Sequence, residues 1–159
     1  NSFINCSKGE AKRLAIPRDL GERPWDDLDF LGWRDPGAPE RGYVVAERGD
    51  GLIGVSLRVA SEVRRSLIKT TVCSICLTSH AGSGVSLFAG RRAGAAGRDG
   101  NTVGTYICGD LACPLYVRGK KKSELATRFT ESLTLEEQVD RMRANMDAFL
   151  DQVVQERSA

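Results

Sequence analysis

Four cysteines in two close pairs constrain this chain more than any other feature of its sequence. Two residues separate Cys73 from Cys76, and four residues separate Cys108 from Cys113. Four thiolates hold zinc in a closed tetrahedron that leaves no open position for water or substrate. The pattern therefore predicts one structural zinc ion bound by these cysteines, and it argues against a catalytic metal.

The segment between the two pairs indicates how the second pair reaches the first. Residues Val85 to Gly90 and Thr102 to Ile107 alternate like two antiparallel strands, and Pro114 suits the first turn of a helix that begins near Cys113. A knuckle, a hairpin and a ligand pair at a helix start is the order of a treble-clef finger, which we place at residues 71–118. The spacing of the second pair is wider than the common two-residue form.

The number of cysteines favours a reducing compartment. The chain has 159 residues and five cysteines, and Cys6 lies outside the cluster, whereas a secreted disulfide framework would normally pair them all. No run of about 18 apolar residues predicts a membrane span, and the first residues lack the pattern of a signal peptide. We therefore expect a cytoplasmic protein without a membrane partner.

The sequence offers no recognisable catalytic set. His80 is the only histidine, so Cys/His or Ser/His/Asp chemistry is hard to build, and no acidic pair is placed as an acid and a base. His80 could replace a cysteine ligand and Cys6 could be a reactive thiol. Four cysteines already complete the site, however, and a small buried hydrophobe is the simpler role for Cys6. We expect no enzyme and no small-molecule substrate.

Positive charge is concentrated around the predicted finger. Residues 58–122 carry 11 Lys and Arg against three Asp and Glu, although the net charge of the whole chain is only +2. Such a pole attracts phosphates or an acidic protein face. The alternative is that these residues are loop arginines on a solvated surface and bind no partner. The Gly-rich loop from Gly90 to Gly100 lacks the Lys-Ser/Thr ending of a phosphate-binding loop, so a flexible hairpin tip is expected.

The front of the chain predicts a helix followed by strands. A helix is indicated from Ser2 to Leu14, and the two tryptophans after it would fill the core or, alternatively, stack on a ligand. Segments Tyr43 to Glu47 and Leu52 to Arg58 flank a glycine turn that is typical of a hairpin. A further strand from Ser66 to Val72 would lead into the knuckle.

The tail has a different pattern. Thr134 and Glu137 form a capping box, and apolar residues then recur at three- and four-residue steps, so a helix is predicted to about Glu156. Its apolar stripe is typical of a core element or a docking seam. We expect an α+β (α/β) domain over residues 1–126, an antiparallel sheet closed by the zinc finger, with the helix of residues 130–158 added to it.

Several of these segments together resemble a known family. They are similar to the C-terminal treble-clef domain of elongation factor G-binding proteins, the FusB-type family whose relatives also carry the label "fibronectin-binding". The resemblance spans most of residues 1–126 and implies a zinc domain that binds elongation factor G and helps it leave the ribosome. The chain differs from the family in adding the helix after Thr134. The segments are Phe30 to Asp35, Val72 to Cys76, Val85 to Phe88 and Gly104 to Cys108, with Cys113.

The resemblance also points to a partner surface on the knuckle, the hairpin and the residues beyond the last cysteine. Apolar and aromatic residues would form its centre and basic residues its rim. Phe88 and Tyr106 could instead pack the hairpin. The surface comprises Ser74, Ile75, Phe88, Arg91, Arg92, Tyr106, Leu115, Tyr116, Lys120 and Lys121.

The sequence thus predicts a non-enzymatic zinc-finger protein of the translation apparatus that binds elongation factor G. The ribosome and ribosomal RNA are further candidate partners. The alternative is an RNA- or nucleic-acid-binding finger, suggested by the basic pole. A finger that reads nucleic-acid bases would be expected to have a helix rich in Arg, Asn and Gln. The predicted helix after Cys113 carries Leu115, Tyr116 and Val117 instead.

Overall fold

The structure is a computed structural model that describes residues 3–49, 51–61, 70–81, 84–122 and 132–154. The strands form one long run and most of the helical residues follow them, as expected for an α+β fold. In chain order they are α1 (Lys8–Lys12), β1 (Phe30–Asp35), β2 (Ala38–Arg48), β3 (Gly51–Ser61), β4 (Thr70–Val72), β5 (Ser79–Ala81), β6 (Val85–Arg91), α2 (Ala95–Arg98), β7 (Thr102–Cys108), α3 (Cys113–Val117) and α4 (Leu135–Val154).

Five strands form one antiparallel sheet in the order β1-β2-β3-β6-β7. The β2–β3 hairpin is confirmed, with Arg48 opposite Gly51 and a positive φ of 60° at Gly49 in its turn. The β6–β7 hairpin is confirmed as well, and β4 pairs with β5 in a separate ribbon beside the knuckle. Of the predicted strand from Ser66 to Val72, residues 66–69 lie outside the described ranges.

The loop between the last two cysteines interlocks with the sheet. Leu111 is fully buried and has a positive φ of 59°. A Cβ atom on Gly32 would lie 2.6 Å from the Leu111 carbonyl oxygen, and one on Gly42 would lie 2.8 Å from Leu111 Cδ1. The wider spacing of Cys108 and Cys113 therefore has a structural role, because the extra residues place Leu111 against two glycines of the sheet.

Helix α4 belongs to the same core as the finger. The predicted capping box is present, because the Thr134 N–H donates to Glu137 Oε1 at 3.1 Å and the Glu137 N–H donates to Thr134 Oγ1 at 3.2 Å. Residues 135–154 therefore pack into the same core as the finger, while residues 126–130, where the predicted domain and the predicted helix meet, lie outside the described ranges. The buried side chains of α4, which cluster with the four paired cysteines, are Val139, Met142, Met146, Phe149, Leu150 and Val153.

A buried carboxylate ties the start of β1 to both C-terminal helices. The Asp29 side chain is 2% exposed and lies 2.7 Å from guanidinium nitrogens of Arg118, after α3, and of Arg143, on α4. Although burial opposes ionisation, hydrogen bonds from the two arginines hold the pKa of Asp29 below its usual range.

Among the described helices, none is long and apolar enough to cross a membrane.

The predicted N-terminal helix is reduced to the five residues of α1. Asn5 instead bridges the sheet, since its Nδ2 donates to the carbonyl oxygens of Ser56 and Arg91 at 2.9 and 3.1 Å, and its Oδ1 accepts the Ser56 N–H at 2.8 Å. These tertiary hydrogen bonds replace the hydrogen bonds that a longer helix would form.

Of the two tryptophans, Trp33 is 7% exposed but Trp25 is 49% exposed, so the prediction that they fill the core is correct for Trp33 alone.

We predict that Gly32→Ala destabilises the protein by about 1–3 kcal/mol, because the new methyl group must displace the Leu111 backbone. Chemical denaturation of the zinc-loaded protein would measure this loss. Gly21→Ala is the matched control, since nothing lies within 4 Å of its added Cβ. Equal stability of the two variants would contradict the interlock.

Candidate metal centre

Four buried sulfurs converge between the knuckle and the end of the hairpin. Cys73 and Cys76 follow β4, Cys108 ends β7 and Cys113 begins α3. The four Sγ atoms lie within 4.8 Å of one another, with 3.6 Å between Cys73 and Cys113 and 3.4 Å between Cys76 and Cys108. A tetrahedral zinc ion with Zn–S bonds of about 2.3 Å places its sulfurs about 3.8 Å apart. The set therefore fits one structural zinc ion.

The fully ionised form of the four cysteines needs a cation. Burial raises the pKa of the Cys113 thiol, whereas hydrogen bonds from the Cys108, Cys113 and Cys76 thiols lower the pKa of Cys73. The sulfurs thus compete for protons and cannot all ionise together in a buried space. Zinc binds thiolates, so a divalent cation stabilises the ionised form of all four and holds their segments together.

The backbone of the knuckle is arranged around Cys73. The N–H groups of Ile75 and Cys76 point to Cys73 Sγ, with N···S distances of 3.3 and 3.4 Å. The Leu77 N–H donates to the Cys73 carbonyl oxygen at 3.0 Å, and Leu77 has a positive φ of 60°. Helix α4 supports the same turn, because Asn145 Nδ2 donates to the Ile75 carbonyl oxygen at 3.0 Å. The donors aimed at Cys73 stabilise a thiolate there.

His80 lies beside the four sulfurs but outside the set. Its ring is buried, and its Nε2 atom is 3.3 Å from Cys108 Sγ. The ring packs edge-on against Tyr116 with 4.7 Å between centroids, and a Cβ atom on Gly84 would lie only 2.3 Å from His80 Cβ. His80 is thus a hydrogen-bonding neighbour of a ligand sulfur. The sequence does not show this role, because His80 and Cys108 lie far apart along the chain.

The residues after Cys113 are largely held by contacts within the protein. The Tyr116 hydroxyl donates to Asp110 Oδ2 at 2.9 Å, and Lys121 forms an ion pair with the same carboxylate. Burial and the Asp110 carboxylate raise the pKa of Tyr116. Lys120 Nζ lies 3.8 Å from Asp27, and Leu115 is half-buried. This end of the predicted partner surface is therefore mainly a structural network.

Two of the predicted partner residues are in the core. Ile75 is 2% exposed and Phe88 is fully buried, with the Arg34 guanidinium 5.0 Å from the centre of the Phe88 ring. We therefore remove Ile75 and Phe88 from the predicted surface. Ser74 and Tyr106 are exposed and adjacent, because the Ser74 N–H donates to the Tyr106 carbonyl oxygen at 2.8 Å.

The two predicted basic residues of the hairpin have different surroundings. Arg92 donates to the Gln152 carbonyl oxygen at 2.6 Å, and the Ala93 N–H donates to the Val153 carbonyl oxygen at 2.8 Å, so both cap the C-terminus of α4. Arg91 is exposed. The hairpin tip contains α2 and is packed against α4, which replaces the expectation of a flexible tip.

Comparison with known proteins agrees with this geometry. A family model described as FBP C-terminal treble-clef zinc-finger matches residues 1–153, a range that takes in nearly all of α4. No curated protein and no solved structure gives a significant match. The family description names the metal-binding fold that the four cysteines form here.

We predict that Cys113→Ser abolishes stoichiometric zinc binding and unfolds at least the finger. Structural zinc can contribute about 10–16 kcal/mol, which is comparable to or larger than the net stability of about 5–15 kcal/mol of a typical domain. Native mass spectrometry and thermal unfolding would measure both effects. Cys6→Ser is the control and should retain the metal. Full zinc occupancy of Cys113→Ser would show the ligand assignment to be wrong.

A second prediction concerns α4. Met142 is fully buried, so Met142→Ala should lower the free energy of unfolding by about 2–5 kcal/mol and make zinc release easier under denaturant. Release can be followed with a chromogenic chelator, with Glu136→Ala at an exposed position of the same helix as the control. Unchanged zinc release in Met142→Ala would mean that α4 is an independent appendage.

Proposed function

Since the chain belongs to the FBP C-terminal treble-clef zinc-finger family, we propose that it is a non-catalytic binding protein of the translation apparatus that binds elongation factor G. The partner follows from the family resemblance of the sequence. The proposed effect on release of the factor from the ribosome rests on the same resemblance. Coordination by four sulfurs fits a scaffolding role for the metal.

One observation carries this proposal: large apolar side chains are exposed immediately beside the zinc ligands. Val72 is 49% exposed, Leu77 is 39% exposed and Tyr106 is 46% exposed. Each lies within two residues of a ligand cysteine. We name Val72, Ser74, Leu77 and Tyr106 the knuckle face. Exposed apolar side chains that are grouped in this way are typical of protein-binding surfaces.

The metal prepares the knuckle face for binding. Zinc fixes the turn between Cys73 and Cys76, and the Ser74 N–H joins that turn to the edge of β7 at Tyr106. A partner therefore meets side chains on a backbone that is already ordered, so little conformational entropy is lost on association. Aromatic residues near the centre of such surfaces commonly dominate affinity. Tyr106 is the residue with this position here.

The charges near the finger favour a protein partner over nucleic acid at this face. Arg118 is paired with Asp29, Lys121 with Asp110, and Arg92 with the end of α4. These cations are partly neutralised by the protein itself, so they are poorly available for phosphates. Nucleic-acid binding is therefore the weaker interpretation of the charges beside the knuckle face.

We predict that Tyr106→Ala raises the dissociation rate from elongation factor G by at least about tenfold, because Tyr106 would lose a central contact, while zinc content is unchanged. Surface-immobilised binding with the purified factor from the same organism would measure the rate. Leu52→Ala is the control, since Leu52 is 57% exposed at the β2–β3 hairpin, toward the other end of the sheet.

Two results would count against the proposal. One is the absence of any interaction between the factor and a folded, zinc-loaded protein at tens of micromolar. The other is an equal loss of binding in Tyr106→Ala and Leu52→Ala, which would place the contact outside the knuckle face.

A further inference from the structure

A cavity of about 530 Å³ lies between the N-terminal segment and the sheet, away from the zinc ligands. Its walls come from α1 and the residues beside it and from all five strands of the sheet, on the face opposite to Leu111. Asn5 and Tyr43 are buried at this cavity and are held by hydrogen bonds within the protein. The cavity is therefore formed by ordered parts of the fold.

Arginines from four elements line this cavity. Arg13 follows α1, Arg41 lies on β2, Arg58 lies on β3 and Arg91 ends β6. Arg41 is directly opposite Arg58, and Arg58 is opposite Ala89, two residues before Arg91. Side chains two residues apart on a strand share a face. Arg41, Arg58 and Arg91 therefore form a row across three neighbouring strands, which we call the arginine row.

Arg41 has a carboxylate nearby, since the hydrogen bond from Tyr43 and, to a lesser extent, the charge of Arg41 hold the pKa of Asp35 below the usual range, but the other two arginines of the row differ from it. Within the described ranges, neither Arg58 nor Arg91 forms an ion pair with a carboxylate, and both are exposed. The carboxylates that line the cavity belong to Glu10 and Asp35. Asp35 already accepts the Tyr43 hydroxyl at 2.7 Å, along with a backbone N–H.

Such an arrangement costs stability in the free protein. Like charges directly opposite each other on paired strands repel, as Arg41 and Arg58 do here. By contrast, Arg48, Arg118 and Arg143 each have a carboxylate partner. An anion placed over the arginine row would remove the repulsion and accept hydrogen bonds from several guanidinium groups at once.

We propose that the arginine row and Arg13 form a binding site for the phosphate groups of a nucleotide or of an RNA backbone. The guanidinium group matches phosphate oxygens in two-point geometry, and several of these groups on a rigid sheet suit a ligand with more than one phosphate. Both sources share this chemistry. No residue of the knuckle face lines the cavity, and the proposal does not depend on binding to elongation factor G.

Calorimetry with the zinc-loaded full chain tests the site. The probes are inorganic tripolyphosphate and a single-stranded RNA oligonucleotide, each at about 50 mM and about 200 mM salt. We expect Arg58→Gln and Arg91→Gln each to lower the affinity for the bound probe at least about tenfold. Arg98→Gln is the matched control, because Arg98 is exposed on α2 and does not line the cavity.

Competition between the probes identifies the source of the phosphate. If RNA displaces tripolyphosphate, the site binds the phosphates of an RNA backbone. If tripolyphosphate binds and RNA does not displace it, the ligand is of the size of a nucleotide. Thermal unfolding gives a second measurement: without ligand, Arg58→Gln should unfold at the same temperature as the wild type or higher, because the repulsion from Arg41 is relieved. The proposal is overturned if neither probe binds, or if Arg98→Gln weakens binding as much as Arg58→Gln.

Discussion

The gathering of four cysteine sulfurs around one cation is the constraint on which the rest of this structure depends. The cysteines come from three places in the chain: the knuckle, the end of β7 and the start of α3. Their sulfurs are buried and cannot all ionise without a metal, so zinc binding and folding of this region are one equilibrium. The exposed knuckle face is a product of the same constraint, because the turn that presents it is the turn that binds the metal.

Interlocking side chains then join the finger to the sheet and to α4. Leu111 occupies the space above Gly32 and Gly42, Asp29 joins the start of β1 to both C-terminal helices, and Asn145 supports the knuckle from α4. Each contact links segments far apart in sequence. A change in one segment is therefore expected to reach the metal site through the shared core rather than remain local.

The basic pole of the sequence divides into two populations in the structure. Arg92 and Arg118, with the lysines near the finger, are engaged by helix carbonyls and carboxylates, whereas Arg58 and Arg91 are without such partners among the described residues. The sequence shows only the sum of these charges. Their separation fits the two proposed sites, a protein-binding face beside the zinc and a phosphate-binding site in the cavity beside α1.

The zinc ligands, the two hairpins and the capped helix α4 could be predicted from the sequence, because each depends on local spacing: paired cysteines, alternating strands with glycine turns, and Thr134 with Glu137. Which residues are available at the surface depends instead on tertiary contacts. The sequence pattern does not distinguish Ile75 and Phe88 from surface residues, yet both are buried in the core cluster. The sequence also does not show that Arg41, Arg58 and Arg91 lie side by side, because the register between the strands brings them together. Burial and cross-strand register arise from contacts between distant segments, and no local pattern encodes them.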